Sequence, residues 1–305
     1  MKILIAGASG AIGRRLIHFL VQSGHEVYGM TQSKERAHII IEKGAKPVVL
    51  NVLGREAVFA VFADLKPEIV IDMLTSLPKE YTPEAMRQAA EMDSKIRLEG
   101  GANLQAAAEM QGVKRYIAQS TGFYYEPGDG LADETVSFVF KASPGVAAGS
   151  RVYAAIENRV LHSTKMEGVA LRFGFFYGPG TWFHPGANVA QQIHKQQFPL
   201  VGQGEGVWNF VHIEDAAQAI SQALKGSPGA YNIVGDNPSA MREWLPAFAR
   251  YLGAIQPPQI SETEGLQQKG ADFVYYATKL RGASNAKAKQ ELQFQPRALE
   301  WLAAT

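Results

Sequence analysis

The chain has 305 residues, 46% hydrophobic and 19% charged, with 30 Lys and Arg against 29 Asp and Glu for a formal net charge of +1. Near-neutral charge without a basic run excludes an electrostatic nucleic-acid or anionic-membrane surface, and no apolar stretch reaches the roughly 20 residues that span a bilayer. Cysteine is absent, which excludes disulfides, thiolate metal sites and cysteine nucleophiles; the first residues read as a core strand, so a soluble cytoplasmic protein is expected.

Lys2–Ala6 is a short apolar run that leads directly into Gly7-Ala8-Ser9-Gly10-Ala11-Ile12-Gly13. A helical pattern follows, with Ile12, Leu16, Phe19 and Leu20 on one face. In this context Gly7 makes a tight turn, Gly10 lets the backbone approach a pyrophosphate, and Gly13 packs the helix closely on the strand. The N–H groups and positive end of the helix then face phosphates, with Ser9, Ala11 and Ile12 in the turn. A packing turn without a ligand is the alternative.

Further strands are predicted at Glu26–Met30, Pro47–Leu50, Ile69–Met73, Arg115–Gln119 and Val169–Arg172, with helical patterns between them. The alternation predicts an α/β fold, a Rossmann-type doubly wound parallel sheet. The helix from Pro83 to Gln111 contains Gly100-Gly101, a pair explained by close packing on the sheet or by a break. Beyond residue 172 the chain becomes aromatic and rich in Gly and Pro. A helix after Glu214, a strand at Tyr231–Val234, a helix from Ala240 to Leu252, a loop from Gln256 to Gly270 and an amphipathic tail are expected. Residues 1–172 form the nucleotide-binding domain, which also receives segments from 207–235. Residues 173–305 are mainly a smaller C-terminal substrate-binding lobe over the carboxyl edge of the sheet.

Several separated motifs resemble the extended short-chain dehydrogenase/reductase family, the epimerase/dehydratase-like group. Besides the glycine turn these are Leu171–Gly180, Asn209–Ala216, Tyr231–Gly235 and Asn285–Pro296, in the family's order. The resemblance implies a Ser/Thr at the end of the fifth strand that hydrogen-bonds a substrate oxygen, here Thr121 or, in the other register, Ser120. Either hydroxyl can instead cap the strand. The family then has Tyr-x-x-x-Lys on the next helix, a proton donor and a lysine that holds the nicotinamide ribose. This helix reads Gly149-Ser-Arg-Val-Tyr153-Ala-Ala-Ile-Glu157, so the pair is missing. Either Tyr153 takes the lysine's place and Gly149 the tyrosine's, or Tyr153 is the tyrosine and Glu157 replaces the lysine. The short distance to Leu171-Arg172 favours the first register. The chain thus resembles an atypical subgroup, with Tyr124, Tyr125 and Tyr153 as substitute proton donors or pocket residues, Tyr125 on the substrate side.

NAD-binding relatives carry an acidic residue at the end of the second strand. Here Thr31, Ser33, Lys34 and Arg36 occupy that tip, with Arg14 after the glycine turn, and the absence of an acid favours NADP over NAD. Asn51 and Val52 are placed to meet the adenine, and Leu74, Thr75 and Ser76 to run beside the nicotinamide-side ribose. Phe175, Phe176, Trp182 and Trp208 overhang the cleft and favour an apolar or aromatic small molecule, with His184 as a further candidate acid. His212 is expected to be structural, and no metal site is expected. The expected function is an NADPH-dependent reductase of a small carbonyl or enone compound. A non-catalytic NAD(P)-binding sensor and an epimerase or dehydratase with tightly held cofactor are the alternatives. The family resemblance also implies a homodimer through the helices at Pro83–Gln111 and Gly149–Lys165.

Overall fold

The computed structural model describes residues 1–303. Its centre is a seven-stranded, all-parallel sheet. Six strands are β1 (Lys2–Ala6), β2 (Glu26–Thr31), β3 (Lys46–Val49), β4 (Ile69–Asp72), β5 (Arg115–Thr121) and β6 (Glu167–Phe173); the seventh is Gly229–Ile233. Their spatial order is Gly229–Ile233, β6, β5, β4, β1, β2, β3. β1 pairs with β4 through Ile3–Ile69 and Ile5–Ile71.

Side chains alternate across a strand, and here both faces are apolar. Ile3, Ile5, Ile71 and Ile117 enter one core, beneath α1 (Ala11–Gln22) and the helix Ile213–Gln222. Leu4, Ala6, Val70 and Tyr116 enter the core on the other face. Continuous apolar runs such as Ile3-Leu4-Ile5 are what a doubly covered parallel strand requires.

The helical stretch at Pro83–Gln111 is continuous rather than broken. It runs as α-helix over Pro83–Lys95, widens into a π-turn at Ile96–Gly100 and resumes as α-helix over Gly101–Met110. The two glycines permit close packing: a Cβ on Gly100 would lie 2.7 Å from Val52 Cγ1, and one on Gly101 2.6 Å from Arg159 Nη2.

A second core gathers the aromatic segments. Phe175–Tyr177 pairs in parallel with Phe210–His212, and Val207–Trp208 pairs antiparallel with Ser239–Ala240. Helices Asn188–His194, Met241–Tyr251 and Ala271–Thr278 pack around Phe183, Trp208, Phe210, Trp244 and Phe248. The segment 256–270, expected as loop, holds a short strand at Gln259–Ile260 and a helix at Glu262–Gln268. Ser261 and Glu264 form a reciprocal capping box that starts this helix, and such a box supplies partners for its first N–H groups. Ala288, Leu292 and Phe294 return to the sheet-side core, so the C-terminal segment crosses back from the aromatic one.

Candidate active site

A cleft of about 830 Å³ opens at the carboxyl ends of the strands. It includes the junction of β1 and β4, where the strand order reverses and successive connections leave in opposite directions. Gly7 after β1, Thr31 at the end of β2, Met73 after β4, Thr121 at the end of β5 and Phe173 at the end of β6 all line it.

Gly7 has φ +80°, and a Cβ there would lie 2.5 Å from Met73 O; a Cβ on Gly13 would lie 2.5 Å from Ala8 O. Both positions are closed to side chains. Gly10 is the N-cap of α1, and no side chain caps the helix. Its first-turn N–H groups therefore remain for a ligand. Ser9, Gly10, Ala11, Ile12 and Gly13 all line the cleft, a cradle that fits a dinucleotide pyrophosphate.

At the end of β2, Thr31 is buried and its hydroxyl lies 3.2 Å from Ser9 Oγ. Gln32 and Arg36 line the cleft, whereas Ser33 and Lys34 do not. Ser33 donates to Glu35 Oε2 at 2.5 Å and Lys34 is exposed. These two side chains serve the turn and face solvent rather than the cleft. Arg14 donates from Nε to Gly10 O at 3.3 Å. Burial, Arg15 and Arg36 lower its pKa, so Arg14 and Arg36 make one local field of positive charge. Asn51 and Val52 line the far wall, with Asn51 Oδ1 accepting from Leu53 N at 3.1 Å. Leu74 and Thr75 also line the cleft. Ser76 does not; its N–H donates to Asp93 Oδ1 at 2.6 Å, tying it to the neighbouring helix.

The fifth strand brings two hydroxyls with opposite fates. Thr121 Oγ1 is buried in the cleft wall without a hydrogen-bond partner among the described residues. Ser120, in the same wall, donates to Glu157 Oε1 at 2.5 Å, and Glu157 in turn accepts from Arg172 Nε at 2.8 Å and Nη2 at 2.7 Å. Ser120 thus spends its hydroxyl proton on a buried ion pair, whereas Thr121 keeps its own for a ligand. Tyr125 is likewise removed from the cleft. It is 2% exposed, donates to Asn232 Oδ1 and stacks on Phe138.

Tyr124 and Tyr153 both line the cleft. A Cβ on Gly149 would lie 2.7 Å from Tyr124 Cε2 and 3.4 Å from its hydroxyl oxygen, so the Tyr124 ring occupies the space a side chain at 149 would enter. Its hydroxyl is 2.5 Å from that of Tyr276. Burial raises the pKa of Tyr124, Tyr276 and Tyr153 above the usual phenol value. Arg97 lies with its guanidinium carbon 5.2 Å from the Tyr153 ring centroid.

Phe175, Phe176 and Trp182 stand in the cleft wall with Phe123, Tyr81 and Tyr276. Trp182 Nε1 donates to the Pro78 and Lys79 carbonyls at 3.2 and 3.1 Å, closing this loop onto the opposite rim. Trp208 is 1% exposed, stacks on Phe175 at 4.1 Å and donates to Tyr276 O. It is a core residue behind the wall, not a cleft residue. His184 lies outside the lining, in the turn where its carbonyl accepts from Ala187 N. His212 accepts from Glu214 N and caps the helix Ile213–Gln222.

Sequence reasoning missed Arg97, Asp93, Phe123, Tyr81 and Tyr276 as cleft residues. Asp93 and Arg97 did leave a signal, an i,i+4 pair of opposite charges just before two glycines in a long helix. The aromatic residues left none, because nothing local distinguishes a wall from a core.

An uncapped glycine cradle at the switch point of a doubly wound sheet defines a Rossmann-type dinucleotide-binding protein. Residues 3–234 match the model of the NAD dependent epimerase/dehydratase family, and the chain belongs to that family. It is 34% identical over 306 residues, 99% of this chain and 98% of the relative, to a 3-diazoavenalumate denitrifying reductase of a Streptomyces species. Identity is 27% to a 2-alkyl-3-oxoalkanoate reductase of Stenotrophomonas maltophilia, over 86% of this chain and 78% of that protein. The fold matches a Thermus thermophilus UDP-glucose 4-epimerase in complex with NAD at TM-score 0.74 and 24% identity, covering 99% of this chain and 96% of that one.

Proposed function

We propose that the chain is an NADPH-dependent reductase acting on a carbonyl or enone group of a small apolar or aromatic molecule. The observation that carries this reading is the Tyr124 phenol in the space above Gly149. In the register that places Gly149 at the family's proton-donating tyrosine, that position carries no side chain, and a tyrosine from the β5 exit fills the space instead. When bound, the reduced nicotinamide supplies hydride. Thr121, a buried hydroxyl without a protein partner, orients the acceptor oxygen. Tyr124 gives the alkoxide its proton, and the Tyr276 hydroxyl at 2.5 Å relays another. Burial keeps both phenols protonated, which suits reduction more than oxidation.

The preference for NADPH is supported by Arg36 in the cleft lining after β2, by Arg14, which stands outside the lining but within the same positive field, and by the lack of a carboxylate at that end of the cleft; among the described residues, Asp93 is the carboxylate in the cleft wall. The aromatic wall of Phe123, Phe175, Tyr81 and Trp182 supports an apolar acceptor. The helix Pro83–Lys95 buries none of its residues in a single copy, which supports its use as a contact between two copies.

A second reading follows from the missing dyad together with the Streptomyces relative, which by its name acts on a diazo compound. An arenediazonium cation that gains hydride at the ring carbon forms a C–H bond and releases neutral dinitrogen, so no proton donor is required.

The test is titration with NADPH and NADH separately, followed by turnover on carbonyl, enone and diazo panels. Tighter NADPH binding with carbonyl or enone turnover is expected. Tighter NADH binding overturns the cofactor assignment, and binding without any turnover favours a sensor.

A further inference from the structure

In the register that the short distance to Leu171-Arg172 favours, Tyr153 takes the place of the family's lysine, yet a cation lies next to it. Arg97 comes from the π-turn Ile96–Gly100, on a different helix, and its guanidinium stacks on the Tyr153 ring at 5.2 Å. The side chain is almost wholly buried and still belongs to the cleft wall. Burying a guanidinium is costly unless it is paired and hydrogen-bonded. Here Nε donates to Asp93 Oδ2 at 2.7 Å and Nη2 donates to Thr75 Oγ1 at 3.0 Å. Asp93 also holds the exit of β4, accepting from Thr75 Oγ1 at 2.9 Å and Ser76 N at 2.6 Å. Arg97 is thus anchored to the segment that the family resemblance sets beside the nicotinamide-side ribose. These bonds use two of the five guanidinium N–H groups.

The backbone around it is arranged for this placement. A π-turn adds a residue to the helical repeat and shifts the following register, and such turns recur at functional sites. Gly100, its last residue, lets the helix approach to where a Cβ would meet Val52 at 2.7 Å. An ordinary helix with a side chain at that position would stand further from the cleft.

We propose that Arg97 is the cation that holds the nicotinamide-side ribose of the dinucleotide, doing from the Pro83–Met110 helix what a lysine at position 153 does in the family. This rests on the cofactor reading above. Arg97 also keeps its charge at any working pH, so cofactor binding through it does not titrate as a lysine's can.

The experiment is fluorescence or calorimetric titration of wild type, Arg97→Met and Arg97→Lys with two ligands. NADPH carries the nicotinamide ribose; adenosine 2′,5′-bisphosphate carries the adenine half alone. Arg97→Met is expected to weaken NADPH about tenfold, the loss of a charge-assisted hydrogen bond, and to leave the bisphosphate within about twofold. Arg97→Lys is expected to recover most of the NADPH affinity. If Arg97→Met does not fold because Asp93 is stranded, the Asp93→Asn/Arg97→Met double variant removes both charges, with the same expectation. Unchanged NADPH binding, or equal weakening of both ligands, overturns the assignment of Arg97 while leaving the cofactor reading intact. Wild type that binds neither ligand overturns both.

Discussion

Ser120 and Glu157 lie 37 residues apart in sequence and 2.5 Å apart in space, hydroxyl to carboxylate. The carboxylate is shared with Arg172, whose side chain is as deeply buried as that of Glu157 and stacks over Phe138 at 4.8 Å. A hydroxyl that resembles a substrate ligand in sequence thereby donates a hydrogen bond to a buried structural ion pair. Arg172→Leu leaves the Glu157 charge buried and unpaired, and a loss of about 3–5 kcal/mol is expected. Ser120→Ala removes one hydrogen bond to a charged group and is expected to cost about 1–3 kcal/mol, with NADPH affinity unchanged. Urea denaturation of both variants checks the order; a Ser120→Ala enzyme that folds normally but has lost turnover would restore Ser120 to the reaction.

Thr121 is the opposite case. Its buried hydroxyl lacks a protein partner, so Thr121→Val keeps the shape and removes only an unsatisfied polar atom. Stability is expected to stay level or rise by up to about 1 kcal/mol, while kcat/KM falls about tenfold or more. A coupled measurement of Tm and turnover decides, and a fall in both would mean that the hydroxyl serves the fold.

Tyr124→Phe is expected to lower carbonyl reduction by about 10²–10⁴-fold, the usual contribution of a general acid. Tyr276→Phe should cost less, because the relay can run through water. Since burial raises the Tyr124 pKa above the usual phenol value of about 10, its donor form persists as pH rises. Wild-type reduction is therefore expected to show no alkaline loss from this group below that pH. Diazo reduction by the same variant separates the two proposed readings: an unaffected rate there, beside a lost carbonyl rate, means hydride transfer without proton donation.

Arg36→Ala and Arg14→Ala are each expected to weaken NADPH about tenfold through a lost charge-assisted contact to the 2′-phosphate, with NADH changed less than about threefold. Parallel Kd measurements suffice. Equal effects on both cofactors would take these cations away from the 2′-phosphate.

His212 titrates below its ordinary value, first because of burial and then because of Arg297. Its folded pKa is thus depressed relative to about 6.5 in the unfolded chain. As pH falls below about 6.5 the unfolded chain takes up the proton first, so stability present at neutral pH is lost on acidification. His212→Asn keeps an acceptor for Glu214 N without the titration. Its stability, followed by denaturation between neutral and mildly acidic pH, is expected to fall less steeply than that of wild type.

Much of the nucleotide half is legible in the sequence, because its constraints are local. Gly7 and Gly13 sit where a Cβ would meet backbone oxygens at 2.5 Å, and such demands are written at fixed spacing in one short segment. The strand runs around Ile3–Ile5 and Ile69–Ile71 are apolar on consecutive residues, which is the mark of a sheet covered on both faces. The helix at Glu262–Gln268, expected as loop, also has a local signal, its Ser261–Glu264 capping box.

The wall opposite the cradle is a different matter. Whether Tyr125 or Trp208 faces the cleft depends on partners 107 and 68 residues away, Asn232 and the Tyr276 carbonyl. Tyr124 and Tyr125 are adjacent in sequence, yet the packing leaves Tyr124 in the cleft beside Tyr153 and takes Tyr125 out. Arg97 joins Tyr153 only because a π-turn and a close glycine contact carry one helix against another. Backbone geometry is dictated within a few residues, so the cofactor cradle was readable from its spacing. Side-chain direction at a strand end or helix face is set by long-range packing, so the residues that meet the substrate emerged only once the chain was folded.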